Sequence, residues 1–285
     1  MYESMQELIL GSINRKISDY AMSCQIKFTK QSEEKIRERM LYTYQVMKDA
    51  AQAGIDDELK SMSGLTGGQA RRLKQAHDAG MLASDGILPL AAVRALSTAE
   101  HNAAMGRIVA APTAGACGIL PSALITMQEK YGLSDEEIVS ALLTAGAIGA
   151  VVAKRSSISG AQGGCQAETG TASAMAAAAM VELRGGTPEM AVYAAGFAIM
   201  NCMGLVCDPV HGLVEVPCVY RNVVGISNAL VSADLALAGV VCPLPVDELV
   251  DAMKAVGDSM PCSLRETGEG GCAACPSVAS KNIFE

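Results

Sequence analysis

Between Ile138 and Val181 the chain carries three charges in 44 residues, Lys154, Arg155 and Glu168, all gathered in and around KRSSISGAQGGCQAETG. Unpaired charge is costly to bury, so a run this apolar keeps charges where they are paired or used. The segment is rich in Gly and Ser between two Ala-rich stretches, so it reads as a loop that ends one helix and opens the next. Cys165 stands just before the second stretch, where a helix N-terminus favours the thiolate. A second island, CDPVHGLVEVPC, is bracketed by Cys207 and Cys218 and holds Asp208, His211 and Glu215. A single buried cysteine is ordinarily a small apolar filler. Three of them in polar loops of an apolar region ask for a chemical reason.

Structural zinc takes four ligands, usually from closely spaced cysteine pairs, and no such pair surrounds these three. The CxxCxxC runs of ferredoxins are missing there too. Three isolated cysteines suit a cubane cluster in which one iron lacks a protein thiolate. Such an iron is a Lewis acid that can take a hydroxyl and let it leave as hydroxide. Spacing alone leaves the apolar-filler reading open.

The elements that must position these residues read as helices. The 285 residues include 45 Ala and 28 Gly. That is far above the usual share and fits closely packed helices better than strands, which favour branched and aromatic side chains. EEKIRERMLYTYQVMKDAAQAG is amphipathic and is predicted to end at Gly54. SMSGLTGGQARRLK is a Gly-rich loop opening a helix at Gln69, and Pro89 starts a helix reaching Met105. APTAGACGILPSALITMQEKYG passes from a loop into a helix that stops at Gly132. Ser134 and Glu137 form a capping box, and Thr187 caps a helix with Pro188 at its first position. Further helices are predicted over 222–238 and 246–259. With no strand alternation, repeat or linker, the expectation is one all-α catalytic domain over 1–285. It has a charged helical part over 1–60 and a loop-like tail over 260–285.

Composition also excludes functions. Lys plus Arg number 22 against 30 Asp plus Glu, a net charge of −8, and Trp is absent. Such a chain lacks the basic surplus and the stacking platforms of a nucleic-acid binder. The charge-free runs Ile138–Ala153 and Met190–Cys207 fall short of the ~20 apolar residues of a membrane span. The early acidic residues do not make a signal peptide. The expectation is a cytoplasmic, non-membrane protein whose ten cysteines are reduced.

Four motifs, APTAGACGILPSAL, SISGAQGGCQAETGTASAMAAAA, CDPVHGLVEVPC and SLRETG, occur in this order. Together they resemble the α chain of iron–sulfur-dependent L-serine dehydratase, over roughly Met62 to Gly271. The resemblance implies an all-helical catalytic domain that converts L-serine to pyruvate and ammonia. It puts a 4Fe-4S cluster on Cys165, Cys207 and Cys218. Some relatives fuse a smaller regulatory domain ahead of this one; the start of this chain resembles the two-chain form, which implies a separate β chain and a heteromer.

Within that resemblance several residues acquire roles beside ordinary ones. Lys154 is the general-base candidate, or a structural partner of Glu168. Ser157 and Ser159 bond substrate, or cap the next helix. Thr113 and Gly115 in PTAG form a carboxylate cradle at a helix start, or an N-cap. His211 bonds substrate or a cluster sulfide, and Asn102 contacts substrate or bridges loops. Arg265 and Glu266 pin the tail, or touch substrate. Cys272 and Cys275 stand where relatives are expected to carry small apolar residues, which leaves a fourth sulfur contact open. The rivals are L-cysteine desulfidation or another β-elimination on a small amino acid, a pyridoxal-phosphate dehydratase, and a non-enzymatic helical subunit with a closed cluster. The missing strand pattern counts against the pyridoxal-phosphate enzyme.

Overall fold

A computed structural model describes residues 2–279. Those residues form thirteen α-helices and no strand. The charged N-terminal part folds as α1 (Met5–Gly11), α2 (Ile17–Thr29) and α3 (Glu33–Asp56). Then come α4 (Gln69–Asp78), α5 (Leu88–Ala103), α6 (Ile119–Tyr131) and α7 (Asp135–Arg155). A short turn α8 (Gly160–Gly163) precedes α9 (Thr171–Leu183), α10 (Pro188–Asn201), α11 (Cys218–Leu237) and α12 (Val246–Ser259). The described part of the tail consists of short 3₁₀ turns and α13 (Pro276–Ala279).

α9 is the axis of the molecule. Every residue from Thr171 to Glu182 is buried, with α6, α7, α10 and α11 packed around it. Its sequence, TASAMAAAAMVEL, is therefore apolar all round instead of striped. Alanine lets four helices approach one axis, and the bulk that fills the gaps comes from neighbours such as Ile119, Leu124, Ile138 and Ile148, all fully buried. α7 is long and apolar enough to span a bilayer by length and composition, but 67% of its apolar window is buried inside the protein.

Local signals set the helix ends. Ser134 Oγ accepts from Glu137 N while the Glu137 carboxylate accepts from Ser134 N, closing the predicted capping box of α7. Thr187 Oγ1 accepts from Met190 N at the start of α10. Gly132, at φ +64, ends α6. Gly54 does not end α3, which runs on to Asp56. It is glycine because α5 crosses there: an added Cβ would lie 3.0 Å from Ser97 Cα, and Gly54 N donates to Ser97 Oγ at 2.8 Å. α11 starts at Cys218, four residues before the predicted Asn222.

α12 and α8 approach each other closely near the cysteines. A Cβ on Gly257 would lie 2.8 Å from Gly163 Cα. Backbone cannot step aside as a flexible side chain can, so Gly257→Ala is expected to cost about 1–3 kcal/mol through overpacking. Denaturant unfolding checks this; an unchanged midpoint would contradict the close packing.

Candidate active site

Four loops meet at one end of the bundle. Cys165 lies just before a π-helical turn, Gln166–Gly170, that leads into α9; such turns often mark functional sites. Gln166 is fully buried and stitches the two islands together. Its backbone N donates to Leu205 O at 2.8 Å, and its side chain accepts from Gly204 N and donates to Met253 O, both at 2.8 Å. The segment after Leu205 carries Cys207, whose backbone pairs with the tail: Cys207 N donates to Leu264 O at 2.9 Å and Glu266 N to Cys207 O at 2.7 Å. The backbone around Arg265 and Glu266 thus pins the tail beside Cys207. Cys218 opens α11.

The three cysteines are buried and feel one another. Burial first, then the charges of Glu168 and Cys165, push the Cys207 thiol far up. Burial, then Cys165 and Glu168, push Cys218 up to about 12. Cys165 is also raised, chiefly by burial, although Thr169 Oγ1 lies 3.1 Å from its sulfur. Burial thus works against the helix-start argument for a Cys165 thiolate and raises all three thiols. Cys202, also buried, interacts electrostatically with Cys165; nothing in its sequence surroundings had singled it out.

Glu168 is the hub. It accepts from Thr113 Oγ1 at 2.7 Å, and the Cys207 thiol points at its Oε2 at 3.9 Å. Burial raises its pKa, with the Thr113 hydrogen bond acting against the shift. Two glycines make room for it. A Cβ on Gly115 would lie 3.3 Å from Glu168 Oε1, and one on Gly160 would lie 2.7 Å from Cys207 Sγ and 2.8 Å from Glu168 Oε2. Thr113 and Gly115 do come to the cysteines, but by holding Glu168; Thr113 makes no side-chain cap at the following turn.

Two residues that sequence reading missed organise the rest. Arg221 ion-pairs with Asp208 at 2.7 Å, donates to Val206 O at 2.7 Å and reaches the Cys165 sulfur. Asn222, buried, accepts from Gly118 N at 2.8 Å and donates to Gly115 O at 2.8 Å and Cys218 O at 2.9 Å. It ties the PTAG loop to the start of α11. Glu215, also buried, accepts from Ser63 Oγ at 2.6 Å, which holds the SGLTGG loop on the second island.

Other expected residues lie elsewhere or do ordinary work. Lys154 is exposed and ion-pairs with Glu3, so the pairing with Glu168 is corrected, and the side chain lies at the surface rather than in apolar surroundings. His211 is exposed, at φ +53, with no hydrogen-bond partner among the described residues; the expected contact role at this position is not seen in the protein alone. Ser157 Oγ bonds Gln162 Oε1 at 2.9 Å and accepts from Ser159 N at 3.0 Å. Ser159 starts α8 without a side-chain cap. Asn102 bridges loops through Ala114 O at 3.4 Å. Cys272 N donates to Asp208 Oδ2 at 2.7 Å, and Cys275 is exposed.

Comparison with known proteins decides the family. Residues 12–273 match the Serine dehydratase alpha chain family. The chain belongs to this family. It is 47% identical, over all of its length and 96% of the relative's, to the probable L-serine dehydratase, alpha chain, of Bacillus subtilis. It is 46% identical to the L-serine dehydratase, alpha chain, of Peptoniphilus asaccharolyticus, over 90% of this chain and 88% of that one. L-serine dehydratase 1 of Escherichia coli is 34% identical over 95% of this chain but only 61% of its own length. The serine dehydratase alpha chain fold is thus the all-helical bundle described above.

Among the described residues, no three His, Cys, Asp or Glu side chains close around a single metal ion. A tetrahedral ion draws its thiolates together, whereas a cluster bonds each to a different iron and spreads them. Three buried thiols on separate segments, close enough to raise one another's pKa, fit the second kind of donor set. Each must lose a proton to bind metal. Metal retention by these thiols against a fixed chelator is therefore expected to strengthen as pH rises through the neutral range. A flat profile would contradict thiol ligation.

Proposed function

We propose that this chain is the catalytic α chain of an iron–sulfur-dependent L-serine dehydratase that converts L-serine to pyruvate and ammonia. The observation that carries the reading is the meeting of Cys165, Cys207 and Cys218 around Glu168, in a chain of this family. The cluster is a 4Fe-4S group held by those three sulfurs. When bound, it supplies Lewis acidity toward the β-hydroxyl, which is otherwise a poor leaving group.

The chain's own residues supply the rest. Glu168 holds or moves a proton at Oε2, the oxygen facing Cys207, while Thr113 fixes Oε1 at 2.7 Å. Burial keeps this carboxyl closer to neutral than an exposed one, which suits proton transfer at working pH. Arg221 fixes the Cys207–Asp208 segment, and Asn222 fixes the PTAG loop. The Cys207–Leu264 pairing fixes the tail beside the site. The aminoacrylate released after loss of water hydrolyses without the enzyme.

The family name "alpha chain" and the longer Escherichia coli relative support a separate β chain as partner. The chain works in the cytoplasm, where its cysteines stay reduced. The test is pyruvate formation by the anaerobically reconstituted protein, with its β partner, from L-serine, L-threonine and L-cysteine side by side. Preference for L-serine supports the reading. Preference for L-cysteine would replace it with desulfidation.

A further inference from the structure

A cleft of about 330 Å³ lies between α8, α12 and the tail, lined among others by Ser157, Gln162, Gly163, Lys254, Asp258 and Arg265. Its volume equals that of about ten liquid waters, enough for a ligand of a few heavy atoms. Lys254 and Asp258 neutralise each other at 2.6 Å. Arg265 has no such partner among the described residues: its Nε is buried without a hydrogen bond, and its guanidinium makes no ion pair with any of them. A buried donor left unpaired is costly, so a native one asks for an acceptor. Gln162 accepts from Ser157 at Oε1, which leaves its amide NH₂ as a second donor on the same wall.

The cleft adjoins the cysteines. The Arg265 backbone bridges to Cys207, and Gly160, at the start of the α8 wall, lies against the Cys207 sulfur. One uncompensated guanidinium matches one carboxylate, whose two oxygens fit its fork. A dianion would meet Asp258 with a charge to spare.

We propose that this cleft binds a small carboxylate, with Arg265 as the anion-receiving group. That the carboxylate belongs to the substrate and product of the dehydration rests on the function proposed above; the anion site itself does not.

The test is calorimetric binding of pyruvate and of uncharged pyruvamide to the anaerobically reconstituted protein, beside L-serine kinetics. The native protein is expected to prefer pyruvate at least tenfold. Arg265→Gln is expected to weaken pyruvate at least 30-fold, leave pyruvamide unchanged and raise KM for L-serine more than it lowers kcat. A structural role would weaken both probes alike and would overturn the proposal. Ala161→Leu, on the exposed face of α8, narrows the cleft without touching Arg265 and is expected to weaken pyruvate as well. Loss of pyruvate binding in Arg265→Gln, in a protein that does not dehydrate serine, would keep the anion site and sink the proposed function. Serine turnover with pyruvate binding intact in both variants would sink the anion site and keep the function.

Discussion

Cys207→Ala is expected to remove iron, sulfide and pyruvate formation together, while the helical bundle persists. Cys207 is held in place by backbone pairing to Leu264 and Glu266, and its sulfur faces Glu168 rather than filling a core gap. Little packing is therefore lost with the thiol, whereas a three-sulfur donor set becomes a two-sulfur one. Cys165→Ala and Cys218→Ala are expected to behave alike. Cys24 lies half-buried on α2, and Cys24→Ala should alter neither metal nor turnover. Cys275 is exposed in the tail, and Cys275→Ala is expected to keep both. Iron and sulfide analysis with circular dichroism checks the series. Metal loss in Cys275→Ala would mean that the tail supplies a fourth ligand.

Gly160→Ala is expected to lower kcat/KM for L-serine by at least ~100-fold, since sub-ångström to 1 Å misplacement of reacting groups costs about that much. The added methyl would lie 2.7 Å from Cys207 Sγ and 2.8 Å from Glu168 Oε2. Neither neighbour can yield freely: Cys207 is backbone-paired, and Thr113 holds Glu168 at 2.7 Å. Unfolding stability should drop by about 1–3 kcal/mol, leaving a folded protein with a displaced site. Steady-state kinetics with thermal unfolding separates the two effects. Native turnover would remove Glu168 and Cys207 from the reacting geometry.

The helical frame was legible where its signals are local. The Ser134–Glu137 box, the Thr187 cap and the 246–259 helix depend on a few adjacent residues, and each forms as read. The cysteines could be singled out because polar loops in an apolar stretch stand apart. What surrounds them could not. Lys154 and Arg155 end α7, and a residue's place around a helix end decides whether it turns inward; both turn to surface acids, Glu3 and Asp251. Arg221 and Asn222 look like ordinary residues of α11. Asn222 bonds the Cys218 carbonyl one turn back, which a helical pattern conceals, and its bond to the PTAG loop spans more than 100 residues. One signal for Arg221 was available: it is the single Lys or Arg between Arg184 and Lys254.

The central claim is that three cysteines hold a cluster with one iron left open to substrate. Mössbauer spectroscopy of the anaerobically reconstituted protein, with and without L-serine, tests it most directly. One iron in four is expected to give a signal that shifts when L-serine is added, in protein that then forms pyruvate. Active protein that contains no iron, or a cluster whose four irons are alike and indifferent to L-serine, would contradict it.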